Sequence, residues 1–280
     1  MSAVGGIQAE HLVREYMMGR NIIRAVDDVS FSVPEGKYTL ILGASGAGKS
    51  TVLNMLGGMD SPTSGTLVAA GREISSYNKR QLAEYRRSSV GFVFQFYNLM
   101  PNLNILENVE LASQICKNPL DPRQVLEMVG LGERLFSFPA QCSGGEQQRG
   151  AIARALAKNP DILLCDEPTG ALDYKTGKAI LALLYDLCKR SGKDFNHGCI
   201  AVSLISADGH EACFAAQKCR KNFIAVGHKL SVPPDNTPFR CGFALSCKNF
   251  DFAALGDRCC TVNHKRERFI SRHCNCERVG

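Results

Sequence analysis

The sequence predicts an α/β fold built on a mostly parallel sheet, with antiparallel strands at its N-terminal side. Three observations point there. Strand-like and helix-like segments alternate through residues 38–190. The apolar run Tyr38-Thr39-Leu40-Ile41-Leu42 passes straight into a glycine-rich loop, GASGAGKST, and from there into a helical pattern, TVLNMLGG. A second apolar run, Ile162-Leu163-Leu164-Cys165, ends in two carboxylates, Asp166 and Glu167.

Taken in order, residues 9–16 and 22–33 alternate apolar and polar side chains, the pattern of an antiparallel pair. The loop that follows the strand at 38–42 consists of Gly43, Ala44, Ser45, Gly46, Ala47, Gly48, Lys49, Ser50 and Thr51. It satisfies G-x-x-x-x-G-K-[ST] at every fixed position. Its glycines let successive N–H groups turn inward on a phosphate chain, and the helix starting near Lys49 adds its positive dipole end. Lys49 is placed to reach the β- and γ-phosphates and Ser50 to hold Mg²⁺, so a nucleoside triphosphate is the expected ligand. The turn DSPTSG covers 60–65, a strand is expected over 65–70, a charged helix over 78–88, and a short buried strand over 90–94 that leads to Gln95. Asn104 is a cap for a helix carrying Leu106, Val109 and Ile115; Asp121-Pro122 opens another, with proline where its missing N–H costs nothing. Helices are also expected over 146–158 and 175–190, the latter with Ala179, Ile180, Leu183, Leu184 and Leu187 at helical spacing.

Two further constellations carry chemistry. In a phosphate-binding α/β sheet the carboxyl ends of strands face the ligand, which puts Asp166 in position to hold Mg²⁺ and Glu167 to act as general base toward water. In Cys142-Ser143-Gly144-Gly145-Glu146-Gln147-Gln148-Arg149, Ser143 and Glu146 have the spacing of a capping box. The two glycines leave that helix start open to an anion such as a γ-phosphate.

With these motifs in place, the chain resembles the ATP-binding subunits of ABC transporters, most of all those of the lipoprotein-release and macrolide-export type. GASGAGKST is similar to Walker A, Phe94-Gln95 with Tyr97-Asn98-Leu99 to the Q-loop, and CSGGEQQR to the signature, with Cys142 where leucine is usual. ILLCDEP is similar to Walker B and Ala171-Leu172-Asp173 to the D-loop. The resemblance implies a P-loop NTPase with a RecA-like core, an antiparallel β subdomain and a helical signature subdomain at about 96–145, the ATPase domain covering 1–193. It implies Mg-dependent hydrolysis of ATP that powers a separate membrane permease, exporting a lipophilic or peptide substrate. Tyr16 would stack on adenine; Gln95 would contact Mg²⁺ and the attacking water. Ser143, Gly144, Gly145 and Glu146 would meet ATP held by a second copy, and Asp173 would lie at that dimer interface. Gly150 stands where a stronger helix former is usual, a loss of about 1 kcal/mol.

Composition sets the remaining limits. The formal net charge is +6 without a basic cluster interleaved with aromatics, so nucleic acid is not an expected partner. No apolar run approaches the roughly 18 residues of a membrane span, and the N-terminal stretch lacks a signal peptide's apolar block. A cytoplasmic protein is expected, bound to the inner face of the membrane through its permease. Of 13 Cys, nine follow Lys193, as do five of six His. This shift marks a boundary there and makes 194–280 an atypical tail, much of it expected to be poorly ordered. The family's Thr-His switch pair is missing, and neither His197 nor His210 falls where that histidine should. Two readings of the tail stay open. A reading-frame shift near Lys193 would turn Asp194-Phe195-Asn196-His197-Gly198 back into a strand-like Thr-Leu-Ile-Met-Val. A metal or disulfide module would draw on Cys259, Cys260, His264, His273, Cys274 and Cys276. Function likewise retains alternatives: an ATP binder without turnover, or a non-transport member of the same ATPase family.

Overall fold

The structure, a computed structural model, describes residues 6–43, 46–190, 200–206, 223–225, 240–241 and 250–251. Its first layer is antiparallel. Strands β1 (Ile7–Met18) and β2 (Asn21–Val33) form a long hairpin, and β1 pairs on its other side with β4 (Ser64–Ala69), which turns through Ala70-Gly71 into the two-residue β5 (Arg72–Glu73). The order is β2-β1-β4-β5. Alternation buries Ile7 and Ala9, and a register shift between Ala9 and Leu12 returns Leu12 to the same inner face, with Val26, Val33 and Leu67.

The second layer is a parallel sheet in the order β6-β7-β8-β3-β9, made from Val90–Val93, Ile162–Cys165, Ile200–Ser206, Tyr38–Gly43 and Phe223–Ala225. Both of its faces are covered. On β7, Ile162 and Leu164 face the core shared with the antiparallel layer, while Leu163 and Cys165 face a second core beneath the helices. The composition change at Lys193 does not mark the edge of this sheet, because β8 and β9 come from beyond it and flank β3 on either side. A small separate ladder pairs Arg240–Cys241 (β10) with Phe250–Asp251 (β11).

Helix α1 (Lys49–Leu56) and α2 (Lys79–Ser88) fill the space between the layers, and Tyr85 of α2, almost fully buried, donates its hydroxyl to the Leu56 carbonyl at 2.9 Å. Helices α3 (Ile105–Gln114), α4 (Pro122–Met128) and α5 (Gly144–Ala157) make the helical unit, and α6 (Tyr174–Arg190) packs on the parallel sheet. Each expected cap is present: Asn104 accepts from the Glu107 N–H at 2.9 Å and Asp121 from Arg123 at 2.9 Å, with Pro122 at the first helical position. Ile115 departs from expectation. It is the residue after the last turn of α3 and is 55 % exposed, so it belongs to the surface and not to the helix's apolar face.

Candidate active site

The glycine loop joins β3 to α1. Gly43 ends the strand; Ala44 and Ser45 lie outside the described residues. Gly46 has φ +77° and open space around it, so backbone conformation alone demands glycine there. Gly48 has two reasons: φ is +83°, and a Cβ would lie 2.2 Å from the Ala25 carbonyl of β2. Gly48 is also the N-cap of α1, and no side chain caps this helix. Glycine at the N-cap supplies no side-chain oxygen to the start of this helix, which leaves that role to a bound anion. Ala47 and Thr51 are half-buried beside them, and Lys49 is 6 % exposed.

The two carboxylates arrive at the same place. The Asp166 N–H donates to the Val93 carbonyl at 2.9 Å, continuing the ladder beyond the end of β7. The Asp166 side chain lies near the Ser50 hydroxyl and the Lys49 ammonium, and both favour its ionised form. Burial, and then the neighbouring Glu167, push its carboxyl above the ordinary range, while Lys49 and Ser50 act in the opposite direction. Oxygen donors and a carboxylate short of compensating charge fit a hard divalent cation. Glu167 follows at φ +43°, a left-handed conformation that a non-glycine residue takes only at a cost, and its carbonyl accepts from Gly170 N–H at 3.0 Å. That turn presses Gly170 against Gln95: a Cβ at Gly170 would sit 2.8 Å from the Gln95 Nε2. Lys49, Ser50, Gln95, Asp166 and Glu167 thus occupy one locality, at the carboxyl ends of β3, β6 and β7.

The signature segment is built as a helix start. Ser143 accepts from the Glu146 N–H at 3.3 Å, and Glu146 accepts from both the Ser143 N–H and its hydroxyl at 2.8 Å. These bonds hold the Glu146 carboxyl below its usual range, with Arg134 adding an ion pair at 3.1 Å. The glycines have a reason inside the chain that their spacing did not show. A Cβ at Gly144 would meet the Tyr97 hydroxyl at 2.7 Å, and one at Gly145 the Thr176 Cγ2 at 2.6 Å. Cys142 is buried, and burial, followed by the Glu146 charge, raises its thiol. Asp173 is exposed and caps α6, accepting from the Thr176 N–H at 3.1 Å; its bonds with Thr176 hold its carboxyl low.

Sequence reasoning missed the residues that wire these parts together. Arg154 of α5 donates to the carbonyls of Tyr97 and Asn98, fixing the segment after Gln95 to the signature helix. Asn108, buried in α3, accepts from the Met100 N–H at 2.7 Å and donates to the carbonyls of Met100, Leu103 and Asn104. An asparagine on an apolar helix face was the available signal. Tyr16 lies on β1 with its hydroxyl donating to Asp60 at 2.6 Å. His197, His210 and the six tail Cys and His residues fall outside the described residues. Among the described residues there is no His/Cys/Asp/Glu cluster suited to a metal, and no helix is long and apolar enough to cross a membrane.

The ABC transporter family profile matches residues 26–170, more than half the chain and the whole of this locality. The chain belongs to that family. An uncharacterized ABC transporter ATP-binding protein of Thermotoga maritima is 50 % identical over 177 residues, 61 % of this chain and 76 % of the relative. The lipoprotein-releasing system ATP-binding protein LolD of Xylella fastidiosa is 40 % identical over 186 residues, 65 % of this chain and 78 % of its own. The methionine import ATP-binding protein MetN of Geobacillus kaustophilus is 42 % identical over 191 residues, 66 % of this chain and 56 % of its own. Among solved structures, the dimeric ATP-binding cassette MJ0796, in a post-hydrolysis state with ADP and Pi, superposes with a TM-score of 0.65 at 36 % identity, over 79 % of this chain and 94 % of the other. The fold is that of the P-loop ABC cassettes, and the chain carries an ABC-type ATPase domain.

Proposed function

We propose that this chain is the ATP-hydrolysing subunit of a transporter whose membrane-spanning permease is a separate protein, exporting a lipophilic or peptide substrate. The observation that carries the catalytic part is the convergence of Lys49 and Ser50 on Asp166, which brings the phosphate loop to the end of the carboxylate strand. ATP lies along the uncapped α1 N-terminus, Lys49 neutralises the β- and γ-phosphates, and Tyr16 takes the adenine. Ser50, Asp166 and Gln95 would hold Mg²⁺, which would supply charge neutralisation at the phosphates. Glu167 accepts the proton of the attacking water and Gln95 orients that water, for in-line displacement at the γ-phosphorus. A second copy brings Ser143, Gly144, Gly145 and Glu146 to the γ-phosphate, with Asp173 at the interface. The MJ0796 dimer supports this pairing. Closure of the pair drives the permease, and the chain works at the cytoplasmic face of the membrane. Relatives named for lipoprotein release and for methionine import are about equally similar, at 40 % and 42 % identity, so export rests on the Tyr97-Asn98-Leu99 segment and its resemblance to the release and export branch.

One observation favours a second reading, ATP binding without turnover. Strand β8 ends at Ser206, in register with Gly43, and Thr-His does not follow it. Steady-state ATP hydrolysis by the full chain, with Glu167→Gln as control, separates the two. Turnover that disappears in the control supports the first reading; binding with no turnover in either protein leaves the second.

A further inference from the structure

The hairpin that carries Tyr16 is fastened to the phosphate-binding helix at two points. At the head of α1, Gly48 lies against the Ala25 carbonyl of β2, with room for no side chain between them. Ala25 is two residues from Ile23, and Ile23 pairs across the ladder with Tyr16. Two residues of strand and one strand spacing put the Tyr16 backbone roughly 8 Å from this contact, the scale of a nucleoside between base and phosphates. The second fastening lies beyond the tail of α1. The Asp60 N–H donates to the Asn54 carbonyl at 3.2 Å, tying it to the helix. Its carboxylate receives the Arg14 guanidinium in a forked pair, Nε at 2.9 Å and Nη2 at 2.6 Å, as well as the Tyr16 hydroxyl at 2.6 Å and the Ser61 N–H at 2.8 Å. The pair is largely covered, with side-chain exposures of 24 % and 20 %, so water screens it less than an open surface pair. The same guanidinium lies over the Tyr16 ring, 4.7 Å from its centroid.

We infer that Arg14 and Asp60 are positioning residues for nucleobase recognition: they clamp Tyr16 so that one ring face, held at a fixed distance from the phosphate loop, is presented to adenine. This rests on the reading of Tyr16 as the adenine platform. Arg14 occupies one face of the ring, so a base stacks only on the other. Asp60 fixes the ring's tilt through the hydroxyl and fixes Arg14 through the fork. Because Asp60 is bonded back to α1, the platform and the phosphate loop keep their separation when the site is empty. A preorganised aromatic surface loses less freedom on binding, and the gain falls on the base rather than on the phosphates.

The test is calorimetric titration of the full-length protein with ATP and, separately, with inorganic tripolyphosphate, each in magnesium buffer. The proteins are wild type, Tyr16→Ala, Arg14→Gln, Arg14→Lys, Asp60→Asn and the two doubles that add Tyr16→Ala to Arg14→Gln or Asp60→Asn. Arg14→Gln and Asp60→Asn each weaken ATP binding by about three- to tenfold, the range for one lost preorganising bond, and leave tripolyphosphate unchanged. Arg14→Lys, which keeps the cation over the ring, recovers part of the loss, and neither substitution adds to Tyr16→Ala. Full ATP affinity in Arg14→Gln and Asp60→Asn beside a weakened Tyr16→Ala overturns the clamp while sparing the platform. An unaffected Tyr16→Ala overturns the platform and the clamp with it. A parallel fall in tripolyphosphate affinity shows that the pair only holds the fold, and overturns the inference.

Discussion

Three glycines of one helix make a graded test of the packing around the signature. Gly150 lies inside α5, and a Cβ there would meet Ile105 Cδ1 at 3.4 Å and Leu99 Cδ1 at 3.5 Å, ordinary van der Waals contact. Gly150→Ala therefore gains helix propensity of about 1 kcal/mol and buries a methyl group for at most about 0.8 kcal/mol more. The expected change is a stabilisation of about 1–2 kcal/mol, a Tm rise of about 2–8 °C for a domain of this size. Gly145 is the second residue of the same helix, where its Cβ would lie 2.6 Å from the Thr176 Cγ2. Overpacking of that kind costs about 1–3 kcal/mol, so Gly145→Ala lowers Tm. Gly144→Ala falls between them, because its neighbour at 2.7 Å is the terminal hydroxyl of Tyr97, which moves more readily. Urea and thermal unfolding of the three variants give the order directly. The decisive addition is Thr176→Ser in the Gly145→Ala background, since serine keeps the hydroxyl that bonds Asp173 and removes the methyl. A destabilised Gly150→Ala, or no recovery from Thr176→Ser, refutes the reasoning.

Other perturbations have definite signs. Glu146 titrates below its ordinary value in the folded chain, so its contribution is complete above the unfolded pKa and is lost as pH falls through the folded one. Glu146→Ala should accordingly lower Tm at pH 7 and flatten its decline between about pH 5 and 3, read by thermal melts across that range. Asp166 has the opposite shift: its ionised form is disfavoured on folding, so nucleotide-free Asp166→Asn should melt higher than wild type at pH 7, yet lose stabilisation by Mg-ATP. Asn108→Leu leaves the Met100 N–H and the Leu103 carbonyl of a part-buried turn without their side-chain partner, at about 1–2 kcal/mol by urea unfolding. Since the chain has no Trp, Tyr16→Trp gives a single tryptophan, whose selectively excited emission is expected to be quenched by ATP and not by tripolyphosphate.

What the sequence revealed was local. The glycine loop, the Ser143–Glu146 box, the Asn104 cap and Pro122 are each encoded in a short contiguous stretch, and all occupy the expected elements. The site's cross-connections are not encoded at short range. Asp60 lies 46 residues from Arg14 and Arg154 lies 57 from Tyr97, and no periodicity joins such partners. Exposure at an element's end was equally hidden, since Ile115 continues the apolar pattern of α3 although the helix has already finished. The crowding at Gly144 and Gly145 was invisible because Tyr97 and Thr176 come from other elements, and two adjacent glycines suggest openness until those neighbours are in place. The paired strand at 200–206 lies beyond a composition break, where periodicity alone gave no partner.

The placement of β8 sets an order of assembly. Strand β3, with the phosphate loop at its end, and β7, with the two carboxylates at its end, are not adjacent; β8 lies between them and pairs with both. A ribosome that has delivered Glu167 has therefore made every residue of the Ser50–Asp166 junction without the strip that sets its two halves side by side. Closure waits for Ser206 to clear the exit tunnel, and spans more than 160 residues between Gly43 and Ser206. Nucleotide capture by the nascent chain is thus a late event, timed by the arrival of a strand that contributes none of the proposed catalytic groups.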